Sequence, residues 1–137
     1  MAECCSGGVK IIYACSGQSD VGEIADRVVR KLRDEGFAKM ACLAGVGADL
    51  SGYVQTAKAA EVCFTIDGCP TACACKNMER IGVIPRAYVL TEMGLKKGET
   101  PVTDEIVERI AATIREGLPL SKETQTSRNG CGCGGKC

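Results

Sequence analysis

A chain of 137 residues with 17 basic and 17 acidic side chains is sized for a single domain, and it lacks the charge excess that nucleic-acid or membrane-surface binding requires. It contains no histidine, which excludes Ser/His/Asp and Cys/His nucleophile arrangements and every imidazole ligand. It carries 11 cysteines instead, so any transition metal must be held mainly by sulfur, with carboxylate as the second donor type.

The first residues, MAECCSGG, read as a loose leader of residues 1–8 with a vicinal Cys4-Cys5 pair. Val9 to Cys15 is a short β-branched apolar run, too short for a secretory signal or a membrane span, and polar Ser16 to Asp20 follows it directly. The expected location is therefore cytoplasmic. In a reducing compartment, cysteines serve as metal ligands, reactive thiols or small buried side chains rather than as a disulfide framework.

Val9 to Cys15 predicts the first strand. Val21, Ile24, Ala25, Val28, Val29 and Leu32 then fall at helical spacing. Ser19 or Asp20 is the expected cap, Glu23 is placed as in a capping box three after Asp20, and Gly36 is the stop. The loop between strand and helix, Cys15-Ser16-Gly17-Gln18-Ser19, is of the kind whose N–H groups can cradle an anion. Phe37 to Leu43 predicts a second strand, followed by a Gly-rich loop, AGVGADLSG, and a helix from about Asp49 to Ala60. A third strand from Glu61 to Ile66 runs through Asp67-Gly68-Cys69-Pro70 into a helix from Thr71 to about Ile81 with Cys73 in its first turn. Pro85 to Thr91 predicts a fourth strand, and MGLKKGETP a loop. Thr103 caps a last helix whose apolar face is Ile106, Val107, Ile110, Ala111 and Ile114, and Gly117 stands at its end. Strands alternating with helices argue for an α/β fold, a three-layer Rossmann-like sandwich on a small parallel sheet of about four strands. The domain spans 9–118. From residue 119 the sequence turns polar and aperiodic and ends in CGCGGKC, a flexible Cys-rich tail whose Cys131, Cys133 and Cys137 are suited to a soft metal.

In parallel α/β sheets the functional groups gather outside the carboxyl ends of the strands. Cys15, Cys42 and Cys69 follow strands one, two and three, and Cys73 lies one turn beyond Cys69. If those strands are neighbours, four thiols reach one edge of the sheet, enough to close a tetrahedral zinc site or to hold an iron-sulfur cluster. Cys69 and Cys73 would share a face if both lay on the helix start, where unpaired N–H groups favour a thiolate. Cys63, in mid-strand, reads as a small core residue, Cys75 as either a ligand or a packing residue, and Asp67 as a cap for the following helix.

CSG at 15–17, CLAGVGA at 42–48 and DGCPTAC at 67–73 together resemble the DGC-domain family, described as zinc-binding proteins and named after an Asp-Gly-Cys motif. The resemblance covers roughly residues 9–98. It implies Zn2+ on Cys15, Cys42, Cys69 and Cys73 and brings no reaction with it.

A second likeness is one of layout. Strand, Cys-led loop and helix over IIYACSGQSDVGEIADRVVRKL are similar to the start of low-molecular-weight tyrosine phosphatases and related arsenate reductases. In those enzymes a cysteine attacks an oxyanion that an Arg of the same loop clamps. Here Val21 stands sixth after Cys15 and no Arg precedes Arg27, so the clamp is missing. The reading favoured by the sequence is a zinc-binding protein. The alternatives are a thiol enzyme with Cys15 as nucleophile, acting on a small anion or soft oxyanion, and a soft-metal carrier using the tail.

Overall fold

A computed structural model describes residues 8–117. The leader with Cys4 and Cys5 and the tail with Cys131, Cys133 and Cys137 lie outside the described residues. Four parallel strands, β1 (Lys10–Ala14), β2 (Lys39–Met40), β3 (Val62–Asp67) and β4 (Arg86–Val89), form one sheet in the order β2-β1-β3-β4. The register is continuous through its centre, from Lys10 opposite Val62 to Ala14 opposite Ile66.

Side chains alternate across the strands, and the two faces therefore meet different layers. Ile12, Ala14, Phe64 and Ile66 pack against α1 (Asp20–Asp34) and against α5 (Asp104–Arg115), the last of the helices. Ile11, Tyr13 and Cys63 face the opposite layer, formed by α2 (Leu43–Gly47), α3 (Ser51–Ala59) and α4 (Cys73–Arg80), where they meet Val46, Ala57, Ala74 and Met78. Cys63 is buried, as its mid-strand position predicts, and its thiol donates to the Ala57 carbonyl at 3.4 Å. The result is the expected three-layer α/β sandwich on a four-stranded parallel sheet.

The α1 stripe Val21, Ile24, Ala25, Val28, Val29 and Leu32 is wholly buried. Its cap is Ser19, whose Oγ accepts from the Gly22 N–H at 3.2 Å. The capping box does not form, because with Ser19 as cap the residue three on is Gly22, and Glu23 instead pairs with Arg27 at 2.7 Å. Asp20 takes another role. Its carboxylate accepts from the N–H groups of Val21, Gly98 and Thr100 at 2.8, 2.9 and 3.0 Å, tying the loop before α5 to the first turn of α1.

Three other expectations are corrected. Strand β2 is only two residues long, because edge pairing to β1 reaches no further than Ile11 with Lys39 and Ile12 with Met40. The Gly-rich stretch after Cys42 is a short helix rather than a loop, since Gly45 lets the ring of Tyr53 pack directly over its backbone, where a Cβ would lie 2.6 Å from the ring. The predicted fourth strand also ends early, with Leu90–Met93 turning as a 3-10 segment. Among the described residues, no helix is long and apolar enough to cross a membrane.

Candidate functional site

Because β1 lies between β2 and β3, the loops leaving these three strands share one edge of the sheet, and Cys15, Cys42, Cys69 and Cys73 all belong to them. Close approach of backbone makes that edge compact. A Cβ on Gly68 would lie 2.7 to 2.8 Å from the backbone of Val21 and Gly22, and one on Gly22 would lie 2.6 Å from the Gly17 carbonyl oxygen. The loop after β1, the turn after β3 and the first turn of α1 therefore meet through glycines. Two residues beside the thiols hold left-handed backbone without being glycine, Ser16 at φ 49° and Ala72 at φ 52°. Such conformations cost of order 1 kcal/mol or more each and collect at functional sites.

Cys15 is the hub of the arrangement. Its sulfur accepts from the Gly68 N–H at 3.3 Å, joining the first and third loops. It packs against the same core cluster as Cys69 and lines the same cleft as Cys42. Burial pushes its thiol up, and the nearby negative charges of Asp67 and Cys73 add to that, so that the N–H groups of Gly68 and Gly17 offset only part of the shift.

Cys69 is placed differently. Burial opposes its ionisation, but hydrogen bonds from Thr71 and the Lys97 ammonium, 3.7 Å from the sulfur, outweigh it and bring the thiol below its ordinary range. Lys97 sits in the loop that Asp20 anchors, so a contact at the start of α1 positions the cation. Cys42 and Cys73 are exposed, Cys42 as the residue capping α2 and Cys73 as the first residue of α4.

The N–H groups at the start of α4 are taken by a carboxylate. Asp67, 1 % exposed, accepts from the Ala74 and Cys75 N–H groups at 2.8 and 3.1 Å and thus occupies the α4 N-terminus, the capping role read from its position. Cys69 lies in the turn ahead of α4 rather than on it, so the shared helical face with Cys73 is not formed. Burial raises the Asp67 carboxyl above the usual range despite these bonds. Cys75 is buried in α4.

Thiol reactivity should reflect these surroundings. Alkylation by iodoacetamide, followed residue by residue across pH, is expected to show Cys69 with a midpoint below that of an ordinary thiol and Cys15 with one above it. Lys97→Gln should move the Cys69 midpoint upward and leave Cys15 unchanged; a Cys69 profile indifferent to that substitution would show that the ammonium plays no part.

The donor set suits a soft ion, since it consists of thiols, with the Lys97 ammonium beside Cys69 to offset negative charge. Among the described residues, however, no three His, Cys, Asp or Glu side chains are gathered closely enough to hold a metal as they stand. The fit is one of chemistry and of loop placement, and the thiols would have to draw closer together to complete it. Sequence reasoning missed Lys97, Arg30 and Arg33, which reach the edge from distant parts of the chain.

A small parallel α/β protein with a thiol-lined carboxyl edge is the class that fold and site define. The chain matches the DGC domain family over residues 11–114 and belongs to it. It is similar to the anaerobic and virulence modulator AnvM of Pseudomonas aeruginosa (strain PAO1), with 38% identity over 88 residues, 64% of this chain and 67% of the relative. No solved structure matches.

Proposed function

We propose that this protein binds a zinc ion through Cys15, Cys42, Cys69 and Cys73, with Cys15 as the central ligand. The observation that carries the reading is the sheet order, which brings three cysteine-bearing loops to one edge in a chain that offers no imidazole. The lowered Cys69 thiol supports it, because the thiolate is the metal-binding form and forms more readily there than at an ordinary cysteine. Bound zinc would supply a tetrahedral centre tying the three loops together. Lys97 would offset part of the negative charge that several thiolates bring. Cys15, Cys42, Cys69 and Cys73 are all free thiols, as ligands must be, whereas Cys75 is disulfide-bonded and is not available as one.

Elemental analysis of the full chain, purified without chelator, tests this reading. Cys15→Ser should remove about one zinc per chain, the content expected of a single tetrahedral site. Because the terminal cysteines remain in that variant, zinc held by the ends would survive it. An unchanged zinc content in Cys15→Ser would end the four-thiol reading. A visible spectrum separates zinc from an iron-sulfur cluster, which absorbs in that range and zinc does not.

A thiol-based reaction is the second reading, and the structure bears on which residue would carry it. With Cys15 pushed up and Cys69 brought down, Cys69 is the better nucleophile of the two.

A further inference from the structure

We propose that the cleft between α1 and the segment running from β2 into α2 binds a small organic anion, with a carboxylate on the guanidinium groups of Arg30 and Arg33 and a short apolar body reaching toward Cys15 and Cys42. The proposal goes beyond the metal reading and does not require it, because the groups that select the ligand are not thiols.

The cleft has a volume of about 630 Å³, within the range of roughly 300 to 1,000 Å³ usual for small-molecule sites. Its charged wall carries Arg30, Arg33 and Asp26, with Asp34 paired to Arg33 from outside, so the terminal nitrogens of Arg30 are what an anion would meet. Asp26 fixes the first of these cations. One carboxylate oxygen accepts from the Ser16 hydroxyl at 2.8 Å and the other from Arg30 Nε at 2.6 Å. Arg30 is thereby held one carboxylate away from the residue that follows Cys15. Only its Nε edge is used, and among the described residues nothing takes its terminal nitrogens, which form the fork that matches a carboxylate. Arg33 is held by Asp34 at 2.8 Å from outside the cleft lining.

The rest of the lining argues for an organic anion over an inorganic one. Ala14, Met40 and Leu43 give the lining an apolar part beside the guanidinium groups and the thiols. A bare oxyanion would leave that part wet, whereas a short carbon body would cover it. Arginines absent from the cysteine loop itself thus enter the same cleft from the later turns of α1.

The test uses the full chain, reduced and freed of metal by chelator, with two alkylating probes of similar size. Iodoacetate carries a carboxylate and iodoacetamide is neutral; each forms a sulfur–carbon bond as iodide leaves and the thiol proton passes to solvent. Rates at individual cysteines are read by peptide mass spectrometry. The ratio of iodoacetate to iodoacetamide rates should be several-fold higher at Cys42, which lines the cleft, than at exposed Cys73, which does not. Arg30→Gln with Arg33→Gln should bring the two ratios together. Both side chains are about half exposed, at 53% and 43%, so that variant retains the core. Equal ratios in the unaltered protein, or a high Cys42 ratio that survives the double substitution, would overturn the proposal. Succinate gives a parallel test without substitution: it should slow iodoacetamide at Cys42 and spare Cys73, and absence of that protection also counts against the site. As the protein is metal-free throughout, failure here leaves the zinc reading to its own measurement.

Discussion

Asp67→Ala is expected to cost the domain about 3 kcal/mol, from two hydrogen bonds to a charged group and the loss of a helix cap. The reason lies in how α4 begins. Its cap residue is Ala72, in left-handed backbone and without a side-chain acceptor, so the Ala74 and Cys75 N–H groups rely on the Asp67 carboxylate. Alanine removes the acceptor that both buried donors use. Urea denaturation should show a lower midpoint with an unchanged slope, and a midpoint within error of the wild type would mean that the cap is dispensable. A second experiment separates the hydrogen bonds from the charge. Burial raises the Asp67 carboxyl in the folded state above its unfolded value. Its favourable contribution is then fully present below the unfolded pKa and declines as pH rises through the folded one. The advantage of the wild type over Asp67→Asn should accordingly shrink with rising pH across the acid range. An advantage that grew with pH would show that the ionised cap is the favoured form.

Much of this architecture is legible in the sequence because local signals and global packing agree. The α1 stripe is buried as its spacing requires, Thr103 caps α5 by accepting from the Ile106 N–H, and Cys63 is core. The parallel sheet follows from the alternation of elements. The edge shared by the cysteine loops follows only conditionally, since strand order depends on which strands pair and no residue announces it. The electrostatics of the site were the least legible part. The N–H groups at the start of α4 read as open to a thiol, whereas in the fold the buried carboxylate of Asp67 takes those of Ala74 and Cys75. Lys97, by contrast, is 28 positions from Cys69 and reaches it from a loop that Asp20 anchors onto α1. Arg30 is hidden for a related reason: it stands in the later turns of α1, outside the cysteine loop, and lines a cleft with Cys15 only in the fold.

Gly68→Ala is expected to destabilise the protein by about 2 to 3 kcal/mol, the cost of forcing a methyl group into packed backbone. The added Cβ would meet Val21 C at 2.7 Å and Gly22 N and Val21 O at 2.8 Å, and backbone atoms cannot rotate aside as a side chain can. Relief requires α1 and the turn after β3 to separate, and that movement would pull the Gly68 N–H away from the Cys15 sulfur it now meets at 3.3 Å. Two readouts should therefore change together. The denaturation midpoint should fall, and Cys15, losing a hydrogen bond that lowers its pKa, should alkylate with a midpoint at still higher pH. Gly52→Ala is the control. Nothing lies within 4 Å of its added Cβ and it stands within α3, so the substitution should be neutral or stabilising by up to about 1 kcal/mol through helix propensity. If Gly68→Ala behaved like Gly52→Ala in both readouts, the glycine of the Asp-Gly-Cys turn would owe its place to something other than the contact between α1 and the thiol loops. If stability fell while Cys15 kept its profile, the contact would be structural alone, and the coupling of the first and third loops through the Gly68 N–H would not hold.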